Sequence, residues 1–219
     1  MELLTERRFL RRLTDGRYGI GPAMITLAVR AADQFDLAQI ARPHLVSLST
    51  QFDQTVHLAE LQGNDIVYVD KVDPSRRSIR LTSRIGQPVP LHTASVAKAI
   101  LAFQPAEVRA TILRDHGFER FTTNTITSLD AFDLTLSQVR ERGWAMDDGE
   151  REDYINALGA PIRDASGAVV AAVSSIELRS VQDLGEMEHD VLPALLAAAD
   201  AISLELGWAP EDGGEDDDR

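Results

Sequence analysis

Cysteine is absent from this 219-residue chain. That excludes disulfide frameworks, thiolate zinc sites, iron–sulfur clusters and cysteine nucleophiles. No apolar run approaches the ~20 residues a membrane helix needs, and the best candidate, Leu192 to Leu206, is interrupted by Asp200. The first residues, MELLTERRFLRRL, lack the apolar core and small-residue cleavage site of a secretory signal. Basic residues are outnumbered, 22 Lys and Arg against 35 Asp and Glu, which argues against a nucleic-acid surface spread over the whole molecule. Also missing are GxSxG, GxGxxG and GxxxxGK[ST] motifs and any HxxxH pair, and with them the usual nucleophile elbow, nucleotide loops and helical two-histidine metal site. A soluble, cytoplasmic protein with no cofactor, no metal and no catalytic residue is expected.

Apolar residues make up 44% of the chain and charged residues 26%, the proportions of a globular domain with a sizeable core. The charge is uneven. Residues 1–22 hold Arg7, Arg8, Arg11, Arg12 and Arg17 against Glu2, Glu6 and Asp15, while the last nine, EDGGEDDDR, carry six acids and one Arg. Residues 208–219 are expected to be a disordered acidic tail.

Turn chemistry and periodicity predict the elements. Met1 to Glu6 reads as a scrap of helix, followed by a hairpin with arms Phe9–Leu13 and Arg17–Ile20 about Thr14-Asp15-Gly16. Pro22 suits a helix start, and Asp36 can cap a second helix, Leu37 to about Phe52, with Pro43 inside it. Gln54–Leu61 and Asp65–Val72 have strand character, and Arg77–Ile85 alternates, with Ile79 and Leu81 on one face. Thr93 is placed to cap a helix over Ala94–Phe103; further helices are expected at about 105–116 and, capped by Ser128, 128–142. Gly143–Asp147, Ile155–Arg163 and Ala168–Leu178 read as strands, and about Val181–Leu206 as one closing amphipathic helix. Strands joined by hairpins favour an antiparallel sheet flanked by helices, an α+β domain.

Few residues point to chemistry. Ser95 lies three residues after His92, a spacing that suits a Ser/His dyad, but a polar residue at a strand-to-helix turn explains it as well. Asp147, Asp148, Glu150, Glu152 and Asp153 crowd one stretch without the alternation and Gly of a calcium loop, so a solvated acidic turn is expected there. In VPLHTASVAK the small residues Thr93, Ala94, Ser95 and Ala97 open a helix, leaving first-turn N–H groups reachable for a short carboxylate; tight packing of that helix on the sheet would use the same residues. Five Arg near one hairpin fit a wing laid against phosphates, or simply a charged edge.

Four stretches in order and in register, RRFLRRLTDGRYGIG, ARPHLVSLSTQFDQTVHLAELQGNDIVYVDKV, RIGQPVPLHTASVAKAILA and GWAMDDGEREDYINALGAPIRDASGAVVAAVSS, resemble the IclR family of bacterial transcriptional regulators. The resemblance covers residues 7–207. It implies a remnant of a winged helix-turn-helix over 1–21 (the end of a recognition helix and the wing), a linker helix over 22–36 and a GAF-like effector-binding domain over 37–207. It also implies a ligand-responsive regulator that forms dimers or tetramers and binds no membrane. The effector, a carboxylate or aromatic acid, would meet Ile79, Leu81, Ser95, Val96, Asp147, Ile155, Ala157, Ser174 and Ile176. Arg7, Arg8, Arg11, Arg12 and Arg17 would touch the DNA backbone, with operator reading dependent on a complete winged helix-turn-helix. Ala157 stands where many relatives carry Cys, and Ile176 where Ser is common, so the pocket floor is expected to be apolar. The alternative reading is a stand-alone small-molecule sensor without specific DNA binding, acting on full-length relatives through protein contacts.

Overall fold

A computed structural model describes residues 1–32, 36–74 and 83–210, and the chain divides into two units, 1–39 and 40–219. In the first, α1 (Glu2–Glu6) leads into a hairpin of β1 (Leu10–Arg12) and β2 (Tyr18–Ile20), paired Leu10 to Ile20. Asp15 makes the turn by accepting the amide of Arg17 at 3.0 Å while Gly16 takes φ 84°. Pro22 then opens α2 (Pro22–Ala32). The junction requires Gly21, because a Cβ there would lie 2.2 Å from the Arg8 carbonyl oxygen.

The second unit is built on a five-stranded antiparallel sheet. Its strands are β3 (Thr55–Gln62), β4 (Asp65–Val72), β5 (Ala145–Asp148), β6 (Ile155–Arg163) and β7 (Val169–Leu178), in the order β4-β3-β7-β6-β5. The chain enters through α3 (Leu37–Phe52), capped by Asp36, which accepts the amide of Ala38 at 3.0 Å. Helices α4 (Ser95–Leu101), α5 (Ala106–Ile112) and α6 (Leu129–Arg142) follow the first strand pair. α4 lies on the sheet and is wholly buried, and Phe132, Leu136 and Val139 of α6 complete that core. The alternation that sends Gly159 and Ser174 toward α4 sends Leu158, Ile162 and Val173 the other way, where α8 (Leu192–Glu205) covers β6 and β7. Among the described residues no helix is long and apolar enough to cross a membrane.

Several expectations need correction. Ala94, not Thr93, is the N-cap of α4, and among the described residues the Thr93 hydroxyl has no hydrogen-bond partner. The single closing helix is two: α7 (Leu184–Asp190), opened by an Asp183/Glu186 capping box, then α8, with Pro193 in its first turn. Pro193 offers no N–H and cannot continue the preceding helix, yet Met187, Val191, Leu195, Ala199 and Ile202 keep one buried stripe across the break. α5 stops at Ile112, short of residue 116. The strand expected over Arg77–Ile85 lies outside the described residues from 77 to 82, and residues 83–85 are not strand. Of the acidic tail, residues 211–219 lie outside them too.

Candidate ligand-binding site

The sheet register builds the site. Thr55, Ile176, Ala157 and Asp147 are neighbours across β3, β7, β6 and β5, and the adjacent row is His57, Ser174, Gly159 and Ala145. Both rows face α4. A Cβ on Gly159 would come within 2.8 Å of the Ser95 carbonyl, so the missing side chain is what lets the start of α4 sit directly on the sheet. Just beyond this contact the two layers separate around a cavity of about 290 Å³.

Seven residues nominated from the sequence line this space: Ser95, Val96, Asp147, Ile155, Ala157, Ser174 and Ile176. Ile79 and Leu81 lie outside the described residues. The wall also includes His57, Tyr68, Ser83, Thr93, Arg151 and Glu152. Sequence reasoning gave four of these, His57, Tyr68, Ser83 and Arg151, no role here. A histidine and a tyrosine on the inward-facing positions of otherwise apolar strands were the available signal.

Burial sets the electrostatics. The His57 imidazole is held down to about 3, first by desolvation and then by Lys71, so it is neutral; its Nε2 lies 2.8 Å from the Ser83 hydroxyl. Its ring meets Tyr68 edge-on at 4.9 Å, and burial together with the nearby Asp147 pushes that phenol up to about 12. Asp147 is itself pushed up to about 7: desolvation outweighs Lys98 and the Glu150 amide, which donates to its Oδ1 at 2.8 Å. A carboxyl poised there can donate as well as accept a hydrogen bond near neutral pH.

The acidic stretch is therefore not a solvated turn. Asp147 and Glu150 are buried; Glu150 takes the ammonium of fully buried Lys98 at 2.5 Å, and Asp148 pairs with Arg179. A buried ammonium without that partner would be prohibitively desolvated. The Glu150 carboxyl is nonetheless raised, chiefly by burial. A neighbouring loop staples this turn: Thr122 Oγ1 donates to the Gly149 carbonyl (2.7 Å), Asn124 Nδ2 to that of Asp148 (2.8 Å) and Thr125 Oγ1 to that of Glu150 (2.6 Å). Among the described residues no group of three or more His, Asp or Glu side chains is arranged to hold a metal ion.

His92 is not partnered with Ser95. Its Nε2 lies 3.0 Å from the Glu119 carbonyl, which can only accept, so Nε2 carries the proton; Nδ1 then accepts from His116 Nε2 at 2.8 Å. In the first unit Arg7, Arg8, Arg11, Arg12 and Arg17 are all exposed. Arg17 is held by Asp15 at 2.6 Å, and Arg11 and Arg12, adjacent on β1, point to opposite sides.

Comparison with known proteins decides the affiliation. The family described as bacterial transcriptional regulator IclR C-terminal matches residues 29–204, a span that includes the sheet, α4 and every residue lining the cavity. The chain belongs to the IclR family. It is 32% identical over 192 residues to the HTH-type transcriptional regulator KdgR of Escherichia coli, covering 88% of this chain and 72% of that one. The crystal structure of Thermotoga maritima IclR superimposes with a TM-score of 0.74 at 34% identity, covering 95% of this chain and 83% of that one. A double mutant of the PobR inducer-binding domain from Acinetobacter, in complex with 3-hydroxybenzoic acid, shares the fold, with a TM-score of 0.69 at 24% identity, covering 77% of this chain and 98% of that one. The IclR family is one of transcriptional regulators, not of enzymes.

Proposed function

We propose that this chain is a ligand-responsive regulator of the IclR type, in which a small organic or aromatic acid occupies the cavity between α4 and the sheet and thereby modulates operator DNA binding. One observation carries the reading: side chains from all five strands, the α4 start and the β5–β6 turn converge on a single space whose wall mixes apolar and hydrogen-bonding groups. Its volume of about 290 Å³ suits a small molecule better than a drug-sized one. The acid found in the PobR inducer-binding domain supports the chemical class.

In this reading residues 1–21 are the end of a recognition helix and the wing of a winged helix-turn-helix, 22–36 a linker helix and 37–207 the effector-binding domain, working as a dimer or tetramer. Arg7, Arg8, Arg11, Arg12 and Arg17 meet DNA phosphates, Arg17 only after leaving Asp15. Effector occupancy then shifts the population between two arrangements of the DNA-binding units.

A binding acid should raise the melting temperature in step with ln(1 + [L]/Kd). Ser95→Arg, which fills the α4 start, should abolish that rise while the unliganded protein still melts cooperatively. A rise that survives Ser95→Arg would place the ligand elsewhere.

A further inference from the structure

We infer that Arg151 is the residue that takes the carboxylate of an acidic effector, with Phe121 as the platform that orients it. This rests on the reading of the cavity as the effector site, and it names the group that selects acids there. Among the described lining residues Arg151 carries the only fixed positive charge, because His57 is neutral and no other described Arg or Lys lines the cavity. The other cations near the turn are spoken for, Lys98 by Glu150 and Arg179 by Asp148. Among the described residues the Arg151 side chain has no ion-pair or hydrogen-bond partner.

Instead its guanidinium lies over the Phe121 ring, 4.6 Å from the centroid. Stacking occupies the flat face of a guanidinium and leaves its in-plane N–H groups directed outward, the arrangement that grips a carboxylate with two parallel bonds. The platform is fixed from below. Phe121 stacks on His92 at 5.8 Å and 28°, and His92 is clamped by the Glu119 carbonyl and His116. The Thr122, Asn124 and Thr125 staples hold the loop carrying Phe121 to the turn carrying Arg151.

The start of α4 is a weaker claimant for the acid. That helix is only seven residues long, and the Ser95 carbonyl is pressed against Gly159. Asp147 and Glu152 face the same space, so among the described lining residues Arg151 alone offers an anion a full opposite charge. Arg151 is exposed whereas Asp147, Ser174 and the Thr93 hydroxyl, unpartnered among the described residues, are buried, which sets the ligand's polarity: carboxylate outward, far end toward those three groups. Those groups suit a hydroxyl or carbonyl oxygen. The ligand class is a small hydroxy or oxo monocarboxylate.

The test compares acids with their own amides, which keep shape and lose charge. Lactate, pyruvate and 3-hydroxybenzoate, each beside its amide, are titrated by calorimetry and thermal shift into the full chain and its Arg151→Gln, Arg151→Lys and Phe121→Leu variants. The wild type should prefer an acid over its amide by about 10- to 100-fold, the range of a charge-assisted bond. Arg151→Gln should erase the preference while the unliganded protein still melts cooperatively, within about 4 °C of the wild type for the lost cation–π contact; Arg151→Lys should keep part of it, and Phe121→Leu should lower it. A preference that survives Arg151→Gln overturns the assignment. Equal binding of acids and amides to the wild type also overturns it, while the cavity reading stands. If no compound stabilises the wild type, both fall.

Discussion

Replacing Asp147 by Asn should stabilise the protein in a strictly pH-dependent way. The carboxyl has an ordinary value of 3.8 and is pushed up to about 7 in the fold, chiefly by burial. Between those values the folded chain keeps a proton that the unfolded chain has released, so stability falls as pH rises through the interval. About three pKa units at about 1.4 kcal/mol each give a penalty on the order of 4 kcal/mol, fully developed above pH 7. Asn matches the neutral acid in shape, never ionises, and can still accept the Glu150 amide through its side-chain oxygen. The variant should therefore equal the wild type near pH 4 and exceed it by up to about 4 kcal/mol at pH 8. For a domain of this size that is roughly 10 °C in melting temperature. Comparison at matched pH removes the contributions of other titrating groups, notably His57, which acts with the opposite sign. Its value is depressed to about 3, so its neutral form contributes stability above the unfolded value of 6.5 that is lost as pH falls toward 3. Urea or thermal denaturation of both proteins from pH 4 to 8.5 is the assay. A difference that does not grow with pH would refute the claim that burial governs Asp147.

Removing the ammonium in Lys98→Met leaves the Glu150 carboxylate buried without its partner and should cost about 3–5 kcal/mol at pH 8. Lys98→Met/Glu150→Gln should recover most of that in the same denaturation experiment, and retention of the full loss in the double variant would mean that the lysine stem, not the charge, matters. Gly159→Ala drives a Cβ to within 2.8 Å of the Ser95 carbonyl and should cost about 1–3 kcal/mol by overpacking. It should also displace the α4 start enough to weaken stabilisation by acids, whereas unchanged melting with and without ligand would show that the helix moves freely.

Much of the architecture was legible along the chain because it rests on local chemistry. Asp15-Gly16, Gln62-Gly63-Asn64 and Asp164-to-Gly167 mark hairpins through residues that tolerate positive φ, and alternating apolar residues mark the strands they join. The stripe of Phe132, Leu136 and Val139 likewise announced the buried face of α6. Local rules failed where two of them competed. The apolar period running from Leu184 to Leu206 is continuous, but Pro193 interrupts the backbone beneath it. Thr93 had the chemistry of a cap, and the chain instead turned one residue later.

By itself the sequence determined the elements, the antiparallel class of the sheet and, through the resemblance, the residues of Ser95-Val96 and of the β6–β7 hairpin that line the cavity. It could not determine what stands opposite them. Only the strand register sets His57 beside Ser174 and Asp147 beside Ala157, and only the folded 115–127 segment brings Phe121 beneath Arg151. Charge followed the same division. Five acids in seven residues read as a solvated loop because composition carries no depth, and burial turned two of them into a poised carboxyl and half of an ion pair with Lys98. Desolvation depends on the whole surrounding fold, so it is a property that no local pattern encodes.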